Sequence, residues 1–380
     1  MRVLVLGAGF GGLELTSSLA EKFGGDIEIT LIDKNDGFVF GFSKLDVMFG
    51  RASGDAVRHR YADIVKPGVT FVQAEITGID AEARRAETTA GSFEADFMVI
   101  ALGADFDIDA TPGLADEHEF YTVAGAFDLQ PVIDNFAGGR VLIGVLGTPY
   151  KCPPAPSEAA LLMHDHLAQK GLLEQSQISL AIDFPRPIPP SPDASDALLT
   201  AFGERGIEWL PRTEVERLDT GRKVAITRAG DELRYDLFLG VPIHVAPRVL
   251  RDSGICVDGW VPVDPLTLET PHPGVYAVGD VAAVGTPRAG VFAEGQAKVA
   301  AEQIAAKIKS ATSDAAYDGH GVCYLEFGDG TIGKVDVTFF GDSKEGKLIG
   351  PSADFVADKA EFGATRIKRW FGRDWTNPAA

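Results

Sequence analysis

The sequence has few cysteines and a shortage of basic residues. Its three cysteines in 380 residues are too few for a disulfide scaffold, and Cys152, Cys256 and Cys323 lack the paired spacing of a zinc site. We therefore expect no metal site, and we expect any cysteine with a special role to be catalytic. Thirty-five Lys and Arg against 55 Asp and Glu give a formal net charge of −20. Nucleic acid is a disfavoured partner, because it requires a basic protein surface.

Long hydrophobic runs are also missing. No uninterrupted apolar run reaches the ~18 residues of a membrane-spanning helix, so the sequence predicts no transmembrane segment. The N-terminus passes from a short apolar run directly into a glycine motif and offers no cleavage site for a signal peptide. These absences predict a cytoplasmic protein. The length predicts two or three domains, each with its own core.

The first hundred residues contain a dinucleotide-binding pattern. The apolar run RVLVL is typical of a buried parallel strand, and Gly7, Gly9 and Gly12 follow it in a GxGxxG arrangement that opens a helical pattern. The three glycines permit, in turn, a tight turn, close approach of a pyrophosphate, and packing of the helix on the strand. A second strand ends at Asp33, about 20 residues further on, where a carboxylate would accept hydrogen bonds from the ribose hydroxyls. We include the neighbouring Lys34 in the predicted cofactor site.

Two later strand-and-turn motifs extend this pattern. FMVIALGA places Gly103 in a turn, and GVYAVGD ends in Gly279 and Asp280. The three motifs together resemble those of the flavoproteins with two dinucleotide-binding domains, the superfamily of the disulfide reductases. The resemblance implies an α/β fold with two Rossmann-like domains and FAD as the cofactor, with Asp280 in contact with it. It also implies that Arg288 stabilises the reduced flavin, and that FAD is held noncovalently, since Ser43 stands where one relative attaches flavin to a cysteine.

The second nucleotide loop of that superfamily is replaced in this sequence. The strand pattern GRVLIGVLG is followed by TPYKCPPAP, whose prolines lack the N–H groups that cradle a pyrophosphate. NADH binding is therefore disfavoured. A helical pattern follows, with Ser157 as its predicted N-cap. We expect the helix N-terminus and the adjacent Lys151 to lower the pKa of Cys152, which favours the nucleophilic thiolate.

Cysteine followed by two prolines at this place resembles the sulfide:quinone oxidoreductases and the flavoprotein subunit of the flavocytochrome c sulfide dehydrogenases. Those families use a pair of cysteines, and the resemblance assigns Cys323, in GHGVCYLEF, as the partner of Cys152. It implies oxidation of sulfide to sulfur or polysulfide, with electrons passing through FAD to a quinone. The order of the two cysteines in the mechanism stays open. Cys256 lies on an alternating strand pattern and is predicted to be structural.

Three other functions remain as alternatives. A sulfide dehydrogenase that passes electrons to a cytochrome fits the sequence around Cys323. A persulfide carrier or redox sensor fits the lack of a third cysteine between residues 104 and 140, where some quinone reductases of the family have one. A type II NADH dehydrogenase is the weakest alternative, because of the proline-rich loop. A homo-oligomer remains open.

These motifs predict three regions. Residues 1–105 and 245–310 form a discontinuous FAD-binding domain, residues 106–244 form a second Rossmann-like domain without an NAD motif, and residues 311–380 form a C-terminal segment that carries Cys323. Residues 353–371 combine a helical pattern with aromatic and cationic side chains. That helix either lies in a membrane interface, which would make the protein peripheral on the cytoplasmic face, or packs against the protein or a second subunit.

Overall fold

Apolar runs that follow or precede glycine turns form buried parallel strands in the computed structural model, which describes residues 1–341 and 344–379. The helices are α1 (Phe10–Phe23), α2 (Gly41–Met48), α3 (Gly54–Val57), α4 (Val123–Asn135), α5 (Ala155–Gln169), α6 (Pro192–Arg205), α7 (Arg248–Asp252), α8 (Gly290–Ile308) and α9 (Phe355–Phe371). Short 3₁₀ helices are Tyr61–Asp63, Leu114–Asp116 and Leu173–Gln175.

The strands are numbered in chain order. Up to the cysteine loop they are β1 (Arg2–Leu6), β2 (Glu28–Asp33), β3 (Gly37–Phe38), β4 (His59–Arg60), β5 (Val69–Gln73), β6 (Ile76–Asp80), β7 (Arg85–Thr88), β8 (Gly91–Glu94), β9 (Phe97–Ile100), β10 (Asp105–Asp107), β11 (His118–Glu119) and β12 (Gly139–Val145). After it they are β13 (Ser176–Ile182), β14 (Glu208–Pro211), β15 (Val215–Asp219), β16 (Val224–Thr227), β17 (Glu232–Arg234), β18 (Leu237–Val241), β19 (Ile243–Val245), β20 (Val261–Pro262), β21 (Val275–Ala277), β22 (Ala282–Ala283), β23 (His320–Gly328), β24 (Thr331–Thr338) and β25 (Lys347–Ser352).

The first large sheet is parallel and has the order β21-β9-β1-β2-β5. Its central strand β1 is buried from Val3 to Leu6, and all four residues of β9 are buried, which is typical of parallel strands covered on both faces. α1 packs against α8 beside this sheet. Because β21 comes from late in the chain, residues from distant parts of the sequence meet at the carboxyl ends of the strands of this sheet.

The second large sheet is also parallel and has the order β11-β18-β12-β13-β14. α5 packs against β12 and β13, and the residues between form a second core. The predicted α/β class with Rossmann-like sheets is confirmed. The proposed boundaries of the three regions stay a prediction.

A third, antiparallel sheet has the order β23-β24-β25 and lies beside α5 and α9. α9 packs against α1, where the fully buried Trp370 donates its Nε1 hydrogen to Glu14 at 2.9 Å. Arg369 of the same helix pairs with Glu14 and Glu21, and Arg366 pairs with Glu294. The structure packs this helix against the rest of the protein, and a contact of the helix with a membrane stays a prediction. Within residues 1–341 and 344–379, no helix has the length and apolar content needed to cross a membrane.

Candidate active site

The glycine motif forms the turn between β1 and α1. Gly7 has a φ of +101°, and a Cβ there would lie 2.4 Å from the carbonyl oxygen of Ala101. A Cβ on Gly12 would lie 1.9 Å from the carbonyl oxygen of Gly7, so α1 packs on the turn because Gly12 has no side chain. Gly9 is the N-cap of α1, and a Cβ there would meet no described atom within 4 Å. The turn therefore presents open backbone at a helix N-terminus, which is the arrangement that binds the pyrophosphate of a dinucleotide.

Asp33, at the end of β2, holds this turn in place. Its Oδ2 accepts a hydrogen bond from the N–H of Ala8 at 2.8 Å, and its Oδ1 accepts one from the N–H of Asn35 at 2.8 Å. The hydroxyl of Tyr61 donates to the carbonyl oxygen of Ala8 at 2.9 Å. The structure thus brings Asp33 to the glycine turn, half-buried, with Lys34 exposed beside it. Binding of the ribose by Asp33 and a contact of Lys34 with the cofactor stay predictions.

Two further glycine turns lie near the carboxyl ends of neighbouring strands in the first sheet. Gly103 follows β9 with a φ of +67°. Gly279 follows β21 with a φ of +83°, and its N–H donates to Oε1 of Gln296 in α8 at 2.7 Å. Asp280 comes next in the chain. Ligands of open parallel sheets bind at this end of the strands, so the predicted FAD residues lie where a dinucleotide fits.

Arg288 joins the Asp280 turn to the cysteine loop. Its Nε donates to the carbonyl oxygen of Asp280 at 2.9 Å, and its guanidinium lies 3.7 Å from the ring centroid of Trp260. Its own carbonyl oxygen accepts a hydrogen bond from the N–H of Cys152 at 2.6 Å. Arg288 therefore fixes the backbone of Cys152 relative to the predicted flavin contact, Asp280.

Cys152 lies in the loop between β12 and α5. Its φ is +53°, a left-handed conformation that is uncommon for residues other than glycine. Its carbonyl oxygen accepts hydrogen bonds from the N–H of Ala155 at 2.9 Å and from the hydroxyl of Tyr121 at 3.4 Å. These contacts hold a strained residue in one conformation, a feature that clusters at functional sites.

Cys323 comes from β23, an edge strand that packs against α5. Because side chains alternate along a strand, Cys323 shares a face with Leu325, which is fully buried in the core that contains Leu161 of α5. The two cysteines are close enough that Cys323 is one of the groups that raise the pKa of Cys152. Both are half-buried and both are free thiols. The structure thus brings together the two cysteines that the resemblance pairs.

A buried glutamate lies beside both thiols. Glu158, in the first turn of α5, is 5% exposed, and its Oε1 accepts a hydrogen bond from the N–H of Glu326 at 2.9 Å. Burial raises the pKa of Glu158 to about 7, and its charge in turn raises the pKa of Cys152 and of Cys323. A carboxyl with this pKa accepts and releases a proton near neutral pH.

The thiol pKa values differ from the sequence-based expectation. Burial raises the pKa of Cys152 well above its ordinary value and raises that of Cys323 to about 12. The charge of Glu158 contributes a smaller part of both shifts, and the positive charge of Lys44 only partly opposes the shift at Cys152. The prediction that the helix N-terminus and Lys151 give Cys152 a low pKa was therefore wrong. Chemistry at this pair needs a group that removes protons.

Two smaller predictions also need correction. α5 begins at Ala155 with Pro154 as its N-cap, so Ser157 lies inside the helix and is buried. Cys256 lies in a loop and not on the predicted strand, half-buried against the core of the first sheet. Its structural role stays a prediction. Within residues 1–341 and 344–379, no three His, Cys, Asp or Glu side chains are placed to hold a metal ion together.

Glu158 and Lys44 belong to the site but were not predicted from the sequence. Lys44 of α2 donates to the carbonyl oxygen of Tyr121, and burial lowers its pKa to about 7, with Lys151 lowering it further. No local motif marks Lys44. The sequence does not single out Glu158, because an acid in the first turn of a helix is common. Such an acid interacts favourably with the helix dipole and needs no functional role.

Comparisons with known proteins relate the chain to quinone reductases. Over 348 residues, 86% of this chain, it is 21% identical to the mitochondrial sulfide:quinone oxidoreductase of Mus musculus and covers 75% of that protein. A segment of 117 residues, 30% of this chain, is 36% identical to the type II NADH:quinone oxidoreductase of Staphylococcus saprophyticus but covers only 29% of it. The structure of the sulfide:quinone oxidoreductase from Aquifex aeolicus superposes with a TM-score of 0.84 at 20% identity, covering 97% of this chain and 92% of that one. The structural likeness shows a shared fold.

The family described as pyridine nucleotide-disulphide oxidoreductase matches residues 1–144 and 157–306. The matched residues include the glycine turn after β1 and the Gly279–Asp280 turn. The match is interrupted where the loop of Cys152 replaces the second nucleotide loop. Because most of the sequence is matched, this chain belongs to the pyridine nucleotide-disulphide oxidoreductase family.

Proposed function

We propose that this FAD-dependent oxidoreductase is a sulfide:quinone oxidoreductase that uses Cys152 and Cys323 as a redox pair. The observation that carries the proposal is the meeting of these two cysteines, from distant parts of the chain, beside the buried carboxyl of Glu158. The likeness to the mouse and Aquifex aeolicus enzymes over most of the chain supports it. The loop that holds Cys152 also supports it, since its prolines remove donors that NADH would need.

The geometry supports the following chemistry. In the oxidised protein, a disulfide joins Cys152 and Cys323. Hydrosulfide attacks one of these sulfurs, a new S–S bond forms as the Cys–Cys bond breaks, and the products are a persulfide on one cysteine and a thiolate on the other. Glu158, ionised above pH of about 7, takes the proton of the persulfide. Each sulfide oxidised to the level of elemental sulfur gives up two electrons.

The cofactor residues fit FAD. Gly9 presents open backbone at the N-terminus of α1, and Gly7 and Gly12 allow the tight turn that this requires. When bound, FAD supplies the electron acceptor for the cysteine pair and the donor for the quinone. In the proposal, Asp280 and Arg288 orient the cofactor against Cys152, because Arg288 is hydrogen-bonded to both residues.

A strip of aromatic rings on the other face of β23 fits a hydrophobic acceptor. Tyr324, next to Cys323, lies 5.4 Å from the ring of Phe362 in α9, which lies 6.4 Å from the ring of Phe42. Phe42 stacks on Phe40 at 4.9 Å. We place the quinone ring against this strip. Because such quinones are dissolved in membranes, the proposal includes a cytoplasmic protein that touches the membrane surface.

The experiment is an anaerobic titration of the purified protein with sulfide, followed by the flavin absorbance, and then addition of a short-chain quinone. The expected result is bleaching by sulfide and reoxidation by quinone in the wild type and in Cys256→Ser, and no bleaching in Cys152→Ser. Mass mapping of the bleached protein is expected to find an added sulfur on Cys152 or Cys323 and none on Cys256.

Other outcomes support the alternatives. Bleaching by NADH that is equal in the wild type and in Cys152→Ser would replace the proposal with a type II NADH dehydrogenase. Bleaching by sulfide with reoxidation by a cytochrome and not by quinone would indicate a sulfide dehydrogenase. Persulfide on the cysteines without turnover would indicate a sulfur carrier or a redox sensor.

A further inference from the structure

A cluster of buried charges lies behind the cysteine pair. Glu326 of β23, 8% exposed, forms a two-pronged ion pair with Arg51 at 2.7 and 3.2 Å and a short ion pair with Lys359 of α9. Arg51 also pairs with Asp46 of α2 at 2.6 Å. Two carboxylates and two cations therefore cancel each other. Glu158, which is hydrogen-bonded to the N–H of Glu326, is the carboxyl left without a compensating charge.

A cavity of about 100 Å³ opens beside this cluster. The ion-paired residues Asp46, Arg51, Glu326 and Lys359 line it. The charged side chains in its wall suit water, and each water needs roughly 10–15 Å³ of such space, so the cavity has room for several molecules. The cavity thus offers room for water next to the charged cluster.

The face of α5 leads from the cysteine pair to this cavity. Leu162 and Asp165 line the cavity, and Glu158 lies on the same face one turn before Leu162, on the side of Cys152. Glu326 of the cavity wall is hydrogen-bonded to Glu158. Glu158 does not line the cavity itself but adjoins its wall, one helical turn from Leu162 and hydrogen-bonded to the backbone of Glu326.

Two carboxylates in the cavity wall each have a buried oxygen without a hydrogen-bond partner among the described residues. Asp46 is 1% exposed, and its Oδ2 has no hydrogen-bond partner in the part of the chain that the structure describes. Oδ1 of Asp165 is buried and lies 3.8 Å from Nδ1 of His164, and it too has no hydrogen-bond partner among the described residues. Oδ2 of Asp165 accepts a hydrogen bond from the N–H of Asp329 at 2.7 Å. Burial raises the pKa of both acids above the ordinary value. Water in the cavity would satisfy both oxygens.

We propose that this cavity is the proton outlet of the cysteine pair, through which a proton taken up by Glu158 passes by way of water to Asp165 and the solvent. The inference rests on the proposed function. In the step, the S–H bond of the persulfide breaks and an O–H bond forms on Glu158; the carboxylic acid then gives the same proton to cavity water, and the sulfur keeps its electron pair. Glu326, Arg51 and Lys359 are positioning residues, which hold the carboxyl of Glu158 in place and set its charge balance.

The charged and titratable groups that face Glu158 come from every neighbouring element. They are Cys152 and Tyr121 on the loop side, Cys323 and Glu326 on β23, Arg51 after α2, and Lys359 on α9. The negative charge of Glu326 opposes ionisation of Glu158, and the cations Lys359 and Arg51 favour it. A change at any of them alters the pKa of Glu158, so a test of the outlet should leave all of them in place.

Ala360→Leu is the test variant, because Ala360 lines the cavity and a larger apolar side chain there displaces water without a change in charge. Ala357→Leu is the matched control, since Ala357 is exposed on the same helix and does not line the cavity. Two rates are measured in the FAD-loaded protein: bleaching of the flavin by sulfide, and hydrogen–deuterium exchange of the Glu158 carboxyl, followed by infrared spectroscopy with Glu158→Gln used to identify the band. Asp165→Asn, nearly identical in shape, tests the outer end of the outlet should Ala360→Leu fold poorly.

We expect both rates to fall on the order of tenfold in Ala360→Leu and to stay at the wild-type values in Ala357→Leu. In Asp165→Asn we expect slower bleaching with a larger solvent isotope effect. Equal rates of bleaching and exchange in all variants would overturn the outlet and leave the proposed function intact. If sulfide fails to bleach the wild-type protein, the proposed function fails and the outlet fails with it.

Discussion

Glu158 carries a charge that the surrounding protein does not balance. Its pKa is raised to about 7, mainly by burial and also by the charge of Glu326, while Lys359, the N–H of Glu326, and Arg51 limit the shift. A group whose pKa is higher in the folded than in the unfolded protein stabilises the fold most at low pH. That contribution is lost as pH rises through the pKa of the folded state.

Glu158→Gln should therefore stabilise the protein in a pH-dependent way. Glutamine keeps the oxygen that accepts the N–H of Glu326 but never ionises. We expect the melting temperature of the variant to be close to that of the wild type at about pH 4 and to exceed it increasingly up to about pH 8. Thermal unfolding across this pH range is the measurement. A constant difference at every pH would contradict the pKa of Glu158.

α5 and α9 show which parts of local structure follow from sequence and which depend on packing. The apolar and small residues of α5 predict a helix, but proline at its start makes Pro154 the N-cap and leaves Ser157 buried. The aromatic and basic residues of α9 fit equally a membrane surface and a protein surface. Its packing on the protein depends on Glu14 and Glu294, acids far away in sequence that pair with Arg369 and Arg366.

Removal of the buried ring of α9 tests how firmly this helix is held. Trp370 is fully buried and hydrogen-bonded to Glu14, so Trp370→Ala should reduce the free energy of unfolding by about 3–5 kcal/mol. Thr365→Ala, at an exposed position of the same helix, should change it little. Urea unfolding curves give both values. A small loss in Trp370→Ala would mean that α9 is not docked as described.

The whole molecule combines a glycine turn that the sequence predicts well with a candidate reaction site that it predicts only in part. The motif around Gly7, Gly9 and Gly12 is local, because strand, turn and helix follow one another directly, and the structure places Asp33 beside it. The reaction site depends on contact between α5 and β23, which no local pattern encodes. Resemblance supplied the pairing of Cys152 with Cys323, but the burial that raises both pKa values appears only in the folded chain.

The arrangement of the sheets explains why these sites adjoin. The first sheet takes β21 from late in the chain, which brings Asp280 to the glycine turns. The second sheet holds Cys152 in the loop that follows β12. Arg288 then links the two by hydrogen bonds to Asp280 and Cys152. In the proposed reaction, electrons from sulfide cross this junction between the two sheets.

The most direct test is the response of the flavin to about one equivalent of sulfide without oxygen, compared among the wild type, Cys323→Ser and Cys256→Ser, with FAD content and melting temperature matched beforehand. Both cysteines contribute one sulfur to the same disulfide, so loss of either removes the bond that hydrosulfide attacks. We predict bleaching in the wild type and in Cys256→Ser, and none in Cys323→Ser. Equal bleaching in all three proteins would show that Cys323 takes no part and would contradict the redox pair.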